Sequence, residues 1–287
     1  MPEGDTIFRA AQTLNRALAG KLVTRFESVY PALTRVADDN PIVGRTIESV
    51  RSQGKHLLMA FSGGLTLRTH MKMNGSWHIY RPGEKWQRPV RDMRVLVGTN
   101  DFVAVGFNVP VAEFLIDRDL ARHPQLRALG PDLLDSAFDP DAARTRVRAY
   151  GRDAIGDALL NQRAVAGIGN VFKSEILFVA GINPFRRVDA MTAEELARVI
   201  DVAQNLLRGN VLSREQTLTT QHGPALSERY LFRESKGRRT TRSLDPNEKL
   251  WVYARGGKPC RRCGTLIEAR KTGIDARLTY WCPRCQT

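Results

Sequence analysis

The sequence lacks two features that would place it in a membrane or outside the cell: a long apolar run and cysteines spread along the chain. It has no apolar run of about 18 residues, the length a transmembrane helix needs. Its first ten residues, MPEGDTIFRA, are acidic where a secretory signal peptide is basic and then apolar. The first 259 residues contain no cysteine, which excludes a disulfide framework spanning the fold. We therefore expect a cytoplasmic protein without membrane association.

Positive charge is abundant. The 44 Lys and Arg residues exceed the 30 Asp and Glu residues and leave a net charge of +14 on 287 residues. Such an excess favours a polyanionic partner, and nucleic acid is the first candidate. Two alternatives stay open, a basic face that only aids solubility and an anionic membrane surface. The hydrophobic share of 42% is typical of a globular chain.

Two kinds of periodicity divide the chain. Apolar residues at helical spacing predict a helix from Gly4 to about Leu18. Short runs rich in Val, Ile, Leu, Phe and Thr between 21 and about 115 predict an antiparallel sandwich or barrel. A polar, proline-marked stretch over 117–140 follows, and helical patterns begin near Asp141. The change in period indicates a domain boundary.

Two features of the second half need no catalytic explanation. Thr192 and Glu195 form a predicted capping box at the start of a scaffold helix. The segment over 211–247 is polar and rich in Ser, Thr and Arg, which predicts a mobile basic loop. Such a loop either closes over a substrate or is simply disordered.

The four cysteines form a metal-ligand pattern. Cys260 and Cys263 make one CxxC pair, and Cys282 and Cys285 make a second pair, with 18 residues between the two pairs. Two such pairs complete a tetrahedral thiolate site for one zinc ion, with no open position for water, so the zinc is expected to be structural. A redox role is the alternative, but no thioredoxin-like βαβ pattern surrounds the cysteines.

Two further stretches carry weaker signals. Gly167, Gly169 and Asn170 lie between two predicted helices, where free N–H groups at a helix start favour a phosphate, although such glycines are often only turn formers. Removal of Met1 would leave Pro2 as a secondary amine with a reference pKa of about 8, partly neutral and nucleophilic near neutral pH. Glu3 is then a candidate proton donor if burial raises its pKa.

The four-cysteine site, the glycine stretch before Asn170 and the Pro2-Glu3 terminus occur together on one chain. With these three features, the whole sequence resembles the formamidopyrimidine-DNA glycosylase and endonuclease VIII family. The resemblance implies an α+β multidomain fold: an N-terminal antiparallel β-sandwich with flanking helices, then a helical helix-two-turns-helix domain that ends in a zinc-finger β-hairpin. We place the catalytic sandwich domain at 1–118, the helical domain at 119–247 and the zinc-finger domain at 248–287.

The family resemblance also implies an activity, a bifunctional DNA glycosylase and AP lyase of base excision repair. Pro2 would attack C1′ of the damaged nucleotide and form a Schiff base, and β/δ-elimination would nick the strand. Glu3 matches the family's catalytic acid. Lys55 matches a turn lysine that contacts phosphate and assists elimination, although a solvated turn lysine is the alternative. Arg277 matches the finger arginine that grips phosphates and is counted with both the catalytic and the DNA-binding residues.

Other positions match DNA contacts of the family. Lys72, Met73 and Asn74 match the loop that fills the gap left by an extruded nucleotide, where an unbranched thioether can wedge between bases. A core methionine is the alternative for Met73. Asn170 matches a phosphate-binding asparagine, and Arg127 lies near a DNA-contacting arginine. The implied partner is damaged DNA, duplex or single-stranded, bound by a monomer associated with the nucleoid.

The lesion class is a finer expectation. The guanine-lesion branch carries a stretch resembling NDPRRFG, whereas residues 100–106 read NDFVAVG. The starting MPEGDT also looks like endonuclease VIII, so oxidised pyrimidines are the expected substrates. Two departures keep a guanine-lesion enzyme as an alternative: the intercalating residues differ from those of the best-known endonuclease VIII, and the segment over 211–247 resembles the other branch's lesion-capping loop. A non-catalytic zinc-containing binder of damaged or branched DNA is the alternative from another class.

Overall fold

The computed structural model describes residues 2–211, 250–273 and 276–287, which fall into two compact units. The first unit contains Pro2 and Thr6–Ala128. The second contains Glu3–Asp5 and the described residues from Leu129 onward. This division does not separate the zinc finger from the helices, and the three-domain boundaries given above stay a prediction.

The first unit is built from two four-stranded antiparallel sheets, in the orders β1-β6-β7-β5 and β2-β3-β4-β8. The strands are β1 (Arg25–Ser28), β2 (Ile47–Gln53), β3 (His56–Phe61), β4 (Leu65–His70), β5 (Ser76–Tyr80), β6 (Met93–Gly98), β7 (Val103–Phe107) and β8 (Val111–Ile116). The helices of this part of the chain are α1 (Gly4–Leu18), α2 (Pro31–Asp39), α3 (Asp117–Arg122) and α4 (Pro124–Arg127).

One hydrophobic core joins both sheets of this unit. Alternate strand residues point inward, so that Met59 and Leu67 of one sheet and Val97 of the other lie in the same buried cluster. Ile7 and Leu14 reach this cluster from one face of α1. The predicted N-terminal sandwich with a flanking helix is therefore confirmed.

Several short elements of this unit escape the sequence patterns. α2 is a nine-residue helix with a single buried residue, Leu33, and so short a helix gives little periodic signal in the sequence. α3 and α4 lie in the stretch that we described as polar and proline-marked. Pro124 is the first residue of α4, a position where proline is compatible with a helix. Proline there marks a helix start rather than a loop.

The second unit is mainly helical. Its elements are α5 (Pro140–Arg148), α6 (Ile155–Leu160), α7 (Asn170–Ala180), α8 (Ala193–Val211), β9 (Glu268–Thr272) and β10 (Arg277–Trp281). The last two strands form an antiparallel hairpin in which Arg277 pairs with Thr272. α7 is buried along almost its whole length and belongs to the core of this unit. A helical domain that ends in a zinc-finger hairpin was predicted and is confirmed.

Two further expectations concern the chain as a whole. No helix in the described ranges has the length and apolar character needed to cross a membrane. The basic loop predicted over 211–247 lies outside the described residues except for Val211, the last residue of α8.

The predicted capping box is present at the start of α8. The Thr192 hydroxyl accepts a hydrogen bond from the Glu195 N–H at 3.2 Å, and the Glu195 carboxylate accepts one from the Thr192 N–H at 2.9 Å. We expect Thr192→Ala to lower the free energy of unfolding by about 1 kcal/mol, since it leaves a helix N–H unpaired. Urea unfolding measures this loss. Thr192→Ser keeps the hydroxyl, and an equal loss in that variant would contradict the capping explanation.

Candidate active site and zinc hairpin

The side chain of Glu3 is buried at the start of α7. Its carboxylate accepts hydrogen bonds from three backbone N–H groups, those of Gly169 at 2.9 Å, Val171 at 2.8 Å and Phe172 at 3.1 Å. Glu3 is only 1% exposed. The N–H groups of a helix start carry partial positive charge, so they stabilise the ionised carboxylate. Glu3 is thus held in one position by the helix, next to half-buried Pro2 in the chain.

Glycines make this close approach possible. A Cβ atom on Gly169 would lie 2.3 Å from the Glu3 carboxyl carbon, and one on Gly4 would lie 2.8 Å from the Gly167 Cα atom. Gly4 also donates a backbone hydrogen bond to the Gly167 carbonyl at 2.9 Å, and Gly167 has φ +101°. The two glycines of the GIGN stretch and Gly4 therefore leave the space into which the N-terminal residues fit.

One sequence-based interpretation of this stretch needs correction. We expected the N–H groups at the start of α7 to be free for a phosphate, but three of them donate to Glu3. A carboxylate of the same chain thus occupies the anion position that the helix start offers. The pattern of glycines identified an anion site correctly, whereas its occupant lies more than 160 residues away in the sequence.

Polar side chains of α7 bind the β9–β10 hairpin. The Asn170 amide donates to the Leu278 carbonyl at 2.9 Å, and the Lys173 amine donates to the Thr279 hydroxyl at 2.6 Å. Arg277, the first residue of β10, directly precedes these two contact points. The helix that holds Glu3 therefore also fixes the strand that carries Arg277. The phosphate-binding role of Asn170 stays a prediction.

The four cysteines converge on one point. All four Sγ atoms lie within 4.8 Å of one another, with 3.9 Å between Cys260 and Cys285 and 3.5 Å between Cys263 and Cys282. A zinc ion bound to four thiolates at about 2.3 Å needs sulfur–sulfur distances of about 3.8 Å. The Arg262 N–H donates to the Cys260 sulfur at 3.4 Å, as expected around a thiolate ligand. The donor set fits one structural zinc ion.

A second buried carboxylate anchors the chain that leads into the zinc site. Glu175, on α7, accepts hydrogen bonds from the N–H groups of Trp251, Val252 and Tyr253 at 2.8 to 3.0 Å. Val252 packs with Cys260 and Cys282 in the small core of the zinc hairpin. The sequence offered no sign of this role, because a glutamate on a predicted helix normally faces solvent.

In the first unit, Lys55 occupies the turn between β2 and β3. The strands pair up to Gln53 and His56, which leaves Gly54 and Lys55 as a two-residue loop. Gly54 has φ +56°, as the first position of a type II′ hairpin turn requires. Lys55 is half-buried. The predicted location on a hairpin turn is therefore observed.

The loop from β4 to β5 presents three exposed residues, Lys72, Met73 and Asn74. Met73 is 61% exposed, whereas Met71 beside it is buried in the core. An exposed methionine is not a core residue, so the alternative for Met73 does not hold. The loop thus offers an apolar tip between two polar residues.

Two contacts fix the shape of this loop. The Lys72 N–H donates to the Nδ1 atom of His70 at 3.0 Å, and the Gly75 N–H donates to the Met71 carbonyl at 2.9 Å. Burial and the positive charge of Lys72 lower the pKa of His70 to about 4, so the ring is neutral and able to accept this hydrogen bond at neutral pH. Lys72 adopts φ +49°, a conformation that such closure stabilises.

A buried polar cluster beneath these loops was not predicted. Arg68 on β4 is 2% exposed and forms an ion pair with Glu113, a hydrogen bond to Gln125 and one to the Nδ1 atom of His56 at 3.1 Å. His123 lies 3.2 Å from the same Glu113 carboxylate. Burial, followed by repulsion from Arg68, lowers the pKa of His56 to about 3. The cluster ties β3, β4, β8 and α4 together.

Arg127 is exposed at the end of α4. It lines a cavity of about 350 Å³ together with Arg51, Gln53, Asp117 and three apolar residues. The predicted DNA contact of Arg127 stays a prediction.

Comparisons with known proteins agree along the whole chain. Residues 1–108 match the formamidopyrimidine-DNA glycosylase N-terminal domain, residues 129–222 match the H2TH domain of the same glycosylase, and residues 257–287 match the zinc finger found in FPG and IleRS. The chain belongs to the formamidopyrimidine-DNA glycosylase and endonuclease VIII family. Membership of the family confirms three predictions: the family resemblance, the enzyme class of DNA glycosylase with AP lyase activity, and the structural zinc finger.

Individual proteins similar to this member of the family span its full length. A probable endonuclease 8 2 of Streptomyces coelicolor is 39% identical and covers 100% of this chain and 94% of its own. The DNA-(apurinic or apyrimidinic site) lyase Nei2 of Mycolicibacterium smegmatis is 36% identical, with coverage of 100% and 99%. A crystal structure of Lactococcus lactis Fpg with abasic-site DNA has a TM-score of 0.77 at 21% identity, covering 100% of both chains, and shares the fold.

The contact between Gly169 and Glu3 gives a sharp prediction. Gly169→Ala should lower the free energy of unfolding by about 1 to 3 kcal/mol, because its methyl group would overlap the Glu3 carboxylate. The backbone of Gly169 is extended, with φ −121°, so the cost would be steric rather than conformational. Thermal unfolding measures it.

Gly151→Ala is the matched control. Its Cβ atom would meet the nearest atom, the Cβ of Asp189, at an ordinary 3.4 Å. We expect little change in stability there, and a Gly169→Ala protein as stable as this control would show that the close packing around Glu3 is not needed.

Proposed function

We propose that the protein removes oxidised pyrimidines from DNA and cuts the strand through a Schiff base formed by the N-terminal amine of Pro2. The buried Glu3 carboxylate, directed by three N–H groups of α7, is the observation that carries the proposal. A carboxylate held beside a secondary amine is the arrangement that amine chemistry needs, because the attacking nitrogen has to lose a proton. Removal of Met1 is part of the proposal, since only then is the Pro2 nitrogen an amine.

Base removal follows from this pair of residues. The Pro2 nitrogen attacks C1′ of the damaged nucleotide, the bond between C1′ and the base breaks, and the base leaves with the bonding electrons and takes up a proton from water. The proton lost from nitrogen passes to the Glu3 carboxylate. Glu3 returns it to the sugar ring oxygen as the ring opens to the Schiff base. In this sequence of steps Glu3 acts first as a base and then as an acid.

Strand cleavage uses the Schiff base as an electron sink. Loss of a C2′ proton expels the 3′ phosphate, and a second elimination expels the 5′ phosphate. Lys55, presented on a rigid two-residue turn, supplies positive charge to a phosphate near the lesion. A fixed turn favours this role, because its backbone is already ordered before DNA binds.

Several features support DNA as the partner. The net charge of +14 attracts the phosphate backbone, and Arg277 stands on a hairpin that both zinc and α7 hold in place. Met73, with its exposed side chain, fills the gap left by the extruded nucleotide, with Lys72 and Asn74 on either side. Arg127 and Asn170 complete the proposed DNA contacts. The Asn170 amide already donates to Leu278, so it acts on phosphate partly through the hairpin.

The choice of pyrimidine lesions rests on two observations. The turn between β6 and β7 is closed by contacts between Thr99 and Phe102. Residues 100–106, which span this turn and most of β7, contain no arginine, whereas the matching stretch of the guanine-lesion branch carries an arginine pair. The relative from Streptomyces coelicolor is named as an endonuclease 8. A guanine-lesion enzyme is the second candidate. We further propose a monomer that works in the cytoplasm at the nucleoid.

Borohydride trapping tests the covalent step. It reduces a Schiff base to a stable amine, so wild-type protein should form an adduct with duplex DNA that contains dihydrouracil or an abasic site. Pro2→Gly should lower the yield by about 100-fold or more, and Glu3→Gln should lower base excision by a similar factor because proton transfer is lost. Mass spectrometry of the protein establishes whether Met1 has been removed.

Three controls separate the candidate functions. Oligonucleotides with 8-oxoguanine test the guanine-lesion alternative, and preferred cleavage of these would overturn the pyrimidine assignment. Pro2→Gly should still bind the DNA, which shows that the variant is folded. Tight binding by the wild type with no adduct on any lesion would favour a non-catalytic binder of damaged DNA.

A salt titration tests the Arg277 contact. Arg277→Ala should weaken DNA binding and reduce the slope of log affinity against log salt by about 1, because one phosphate contact no longer releases a counterion. Fluorescence anisotropy at several salt concentrations gives this slope. Arg277→Lys keeps one positive charge and should keep the slope, so equal slopes in the wild type and the alanine variant would refute the contact.

A further inference from the structure

Lys173 is a lysine with no exposed surface. It lies on α7 with an exposed fraction of 0%, and its Nζ atom donates to the Thr279 hydroxyl at 2.6 Å. A lysine ammonium has three donors and is costly to bury, so it is almost always found at the surface. Neither base removal nor elimination, as derived above, uses this side chain. Its burial calls for a physical reason.

A chain of hydroxyl groups leads from Lys173 to the backbone of Arg277. The Thr279 hydroxyl lies 2.6 Å from that of Thr272, and the Thr272 hydroxyl lies 3.4 Å from the Arg277 carbonyl oxygen. A charged lysine donates hydrogen bonds and cannot accept them, which fixes the direction of the chain. Lys173 donates to the Thr279 hydroxyl, Thr279 donates to the Thr272 hydroxyl, and Thr272 donates to the Arg277 carbonyl oxygen. The chain crosses the hairpin between its two strands, where Thr272 and Arg277 are paired.

Burial and nearby charges act on Lys173 in opposite directions, and the net effect disfavours its ammonium form. Burial is the largest effect and lowers the pKa of Lys173 to about 8; Asp157 and Glu3 oppose this shift, and Arg277 adds to it. The groups that act on Lys173 therefore come from α6, from the N-terminal residues and from β10. Added negative charge at Arg277 would favour the ammonium form, because it offsets the repulsion between the two cations.

Packing alone does not account for a lysine here. Methionine has a similar length and would fill the space without the cost of burying a charge, and such replacements are often neutral or stabilising. The lysine therefore provides two things that an apolar side chain would not: a hydrogen-bond donor for the hydroxyl chain and a positive charge close to Arg277.

We propose that Lys173 is a positioning residue for the phosphate site at Arg277: it orients the hairpin through Thr279 and Thr272, and it couples phosphate binding to the uptake of a proton. This inference rests on the proposed DNA contact of Arg277. A phosphate bound at Arg277 stabilises the Lys173 ammonium, so by linkage protonation of Lys173 strengthens phosphate binding. Affinity is then independent of pH well below the Lys173 pKa and falls as pH rises through it.

DNA binding as a function of pH tests the coupling. The probe is a fluorescent duplex with a tetrahydrofuran abasic-site analogue, which cannot form a Schiff base, and its affinity is measured from about pH 6.5 to about pH 9.5. Lys173→Met should weaken binding about tenfold near pH 7 and flatten the pH dependence, since both the donor and the titrating group are gone. The Pro2 amine titrates in the same range but is common to both proteins, so the difference between their profiles isolates Lys173.

Two threonine variants separate position from charge. Thr279→Val removes the hydroxyl but keeps the ammonium, so it should weaken binding while the fall in affinity above about pH 8 remains. Thr279→Ser restores the hydroxyl and should resemble the wild type. Zinc content and thermal unfolding establish that each variant is folded. Wild-type affinity and an unchanged pH profile in Lys173→Met would overturn the proposal.

Hydrogen exchange on the free protein tests the hydroxyl chain without DNA. Amide protons of β9 and β10 should exchange faster in Lys173→Met and Thr279→Val than in the wild type and Thr279→Ser. Unchanged exchange in the first two variants overturns the proposal, whether or not DNA is cleaved. Faster exchange and a lost pH dependence of binding, combined with no borohydride adduct, support the role of Lys173 and contradict the Schiff-base chemistry instead.

Discussion

The hydrogen bonds between the Glu3 carboxylate and the first turn of α7 are the constraint on which the site depends. They satisfy N–H groups that a helix start leaves unpaired, and they fix the N-terminal residues to the most buried helix of the second unit. The same helix carries Asn170 and Lys173, which hold the hairpin with Arg277. The residue proposed to transfer protons and the residue proposed to bind phosphate thus depend on the same helix.

This arrangement explains why the GIGN stretch is rich in glycine. A helix start attracts anions in general, but a carboxylate of the same chain reaches it only if the intervening backbone comes very close. Gly4, Gly167 and Gly169 remove the Cβ atoms that would prevent this approach. The glycines therefore serve the position of the Glu3 side chain, which occupies the anion site at the start of α7.

Local patterns in the sequence predicted local structure well. The helix from Gly4 to Leu18, the alternating strands and the four-cysteine site all follow from neighbours within a few residues or from ligand spacing. Contacts between distant residues could not be predicted from the sequence. Examples are the hydrogen bonds of Glu3 with α7 and the contacts that bury Arg68 and Lys173. No periodicity reveals which charged residue of a helix or strand faces inward, because the cost of burial is offset by partners far along the chain.

Glu175 has a consequence for how the zinc hairpin is placed. Its carboxylate holds the backbone of residues 251–253 against α7, so the hairpin takes its position from that helix. The same helix receives a buried carboxylate from the N-terminal residues and offers another to the residues before the zinc site. Two glutamates thus make α7 the common attachment of both ends of the described chain.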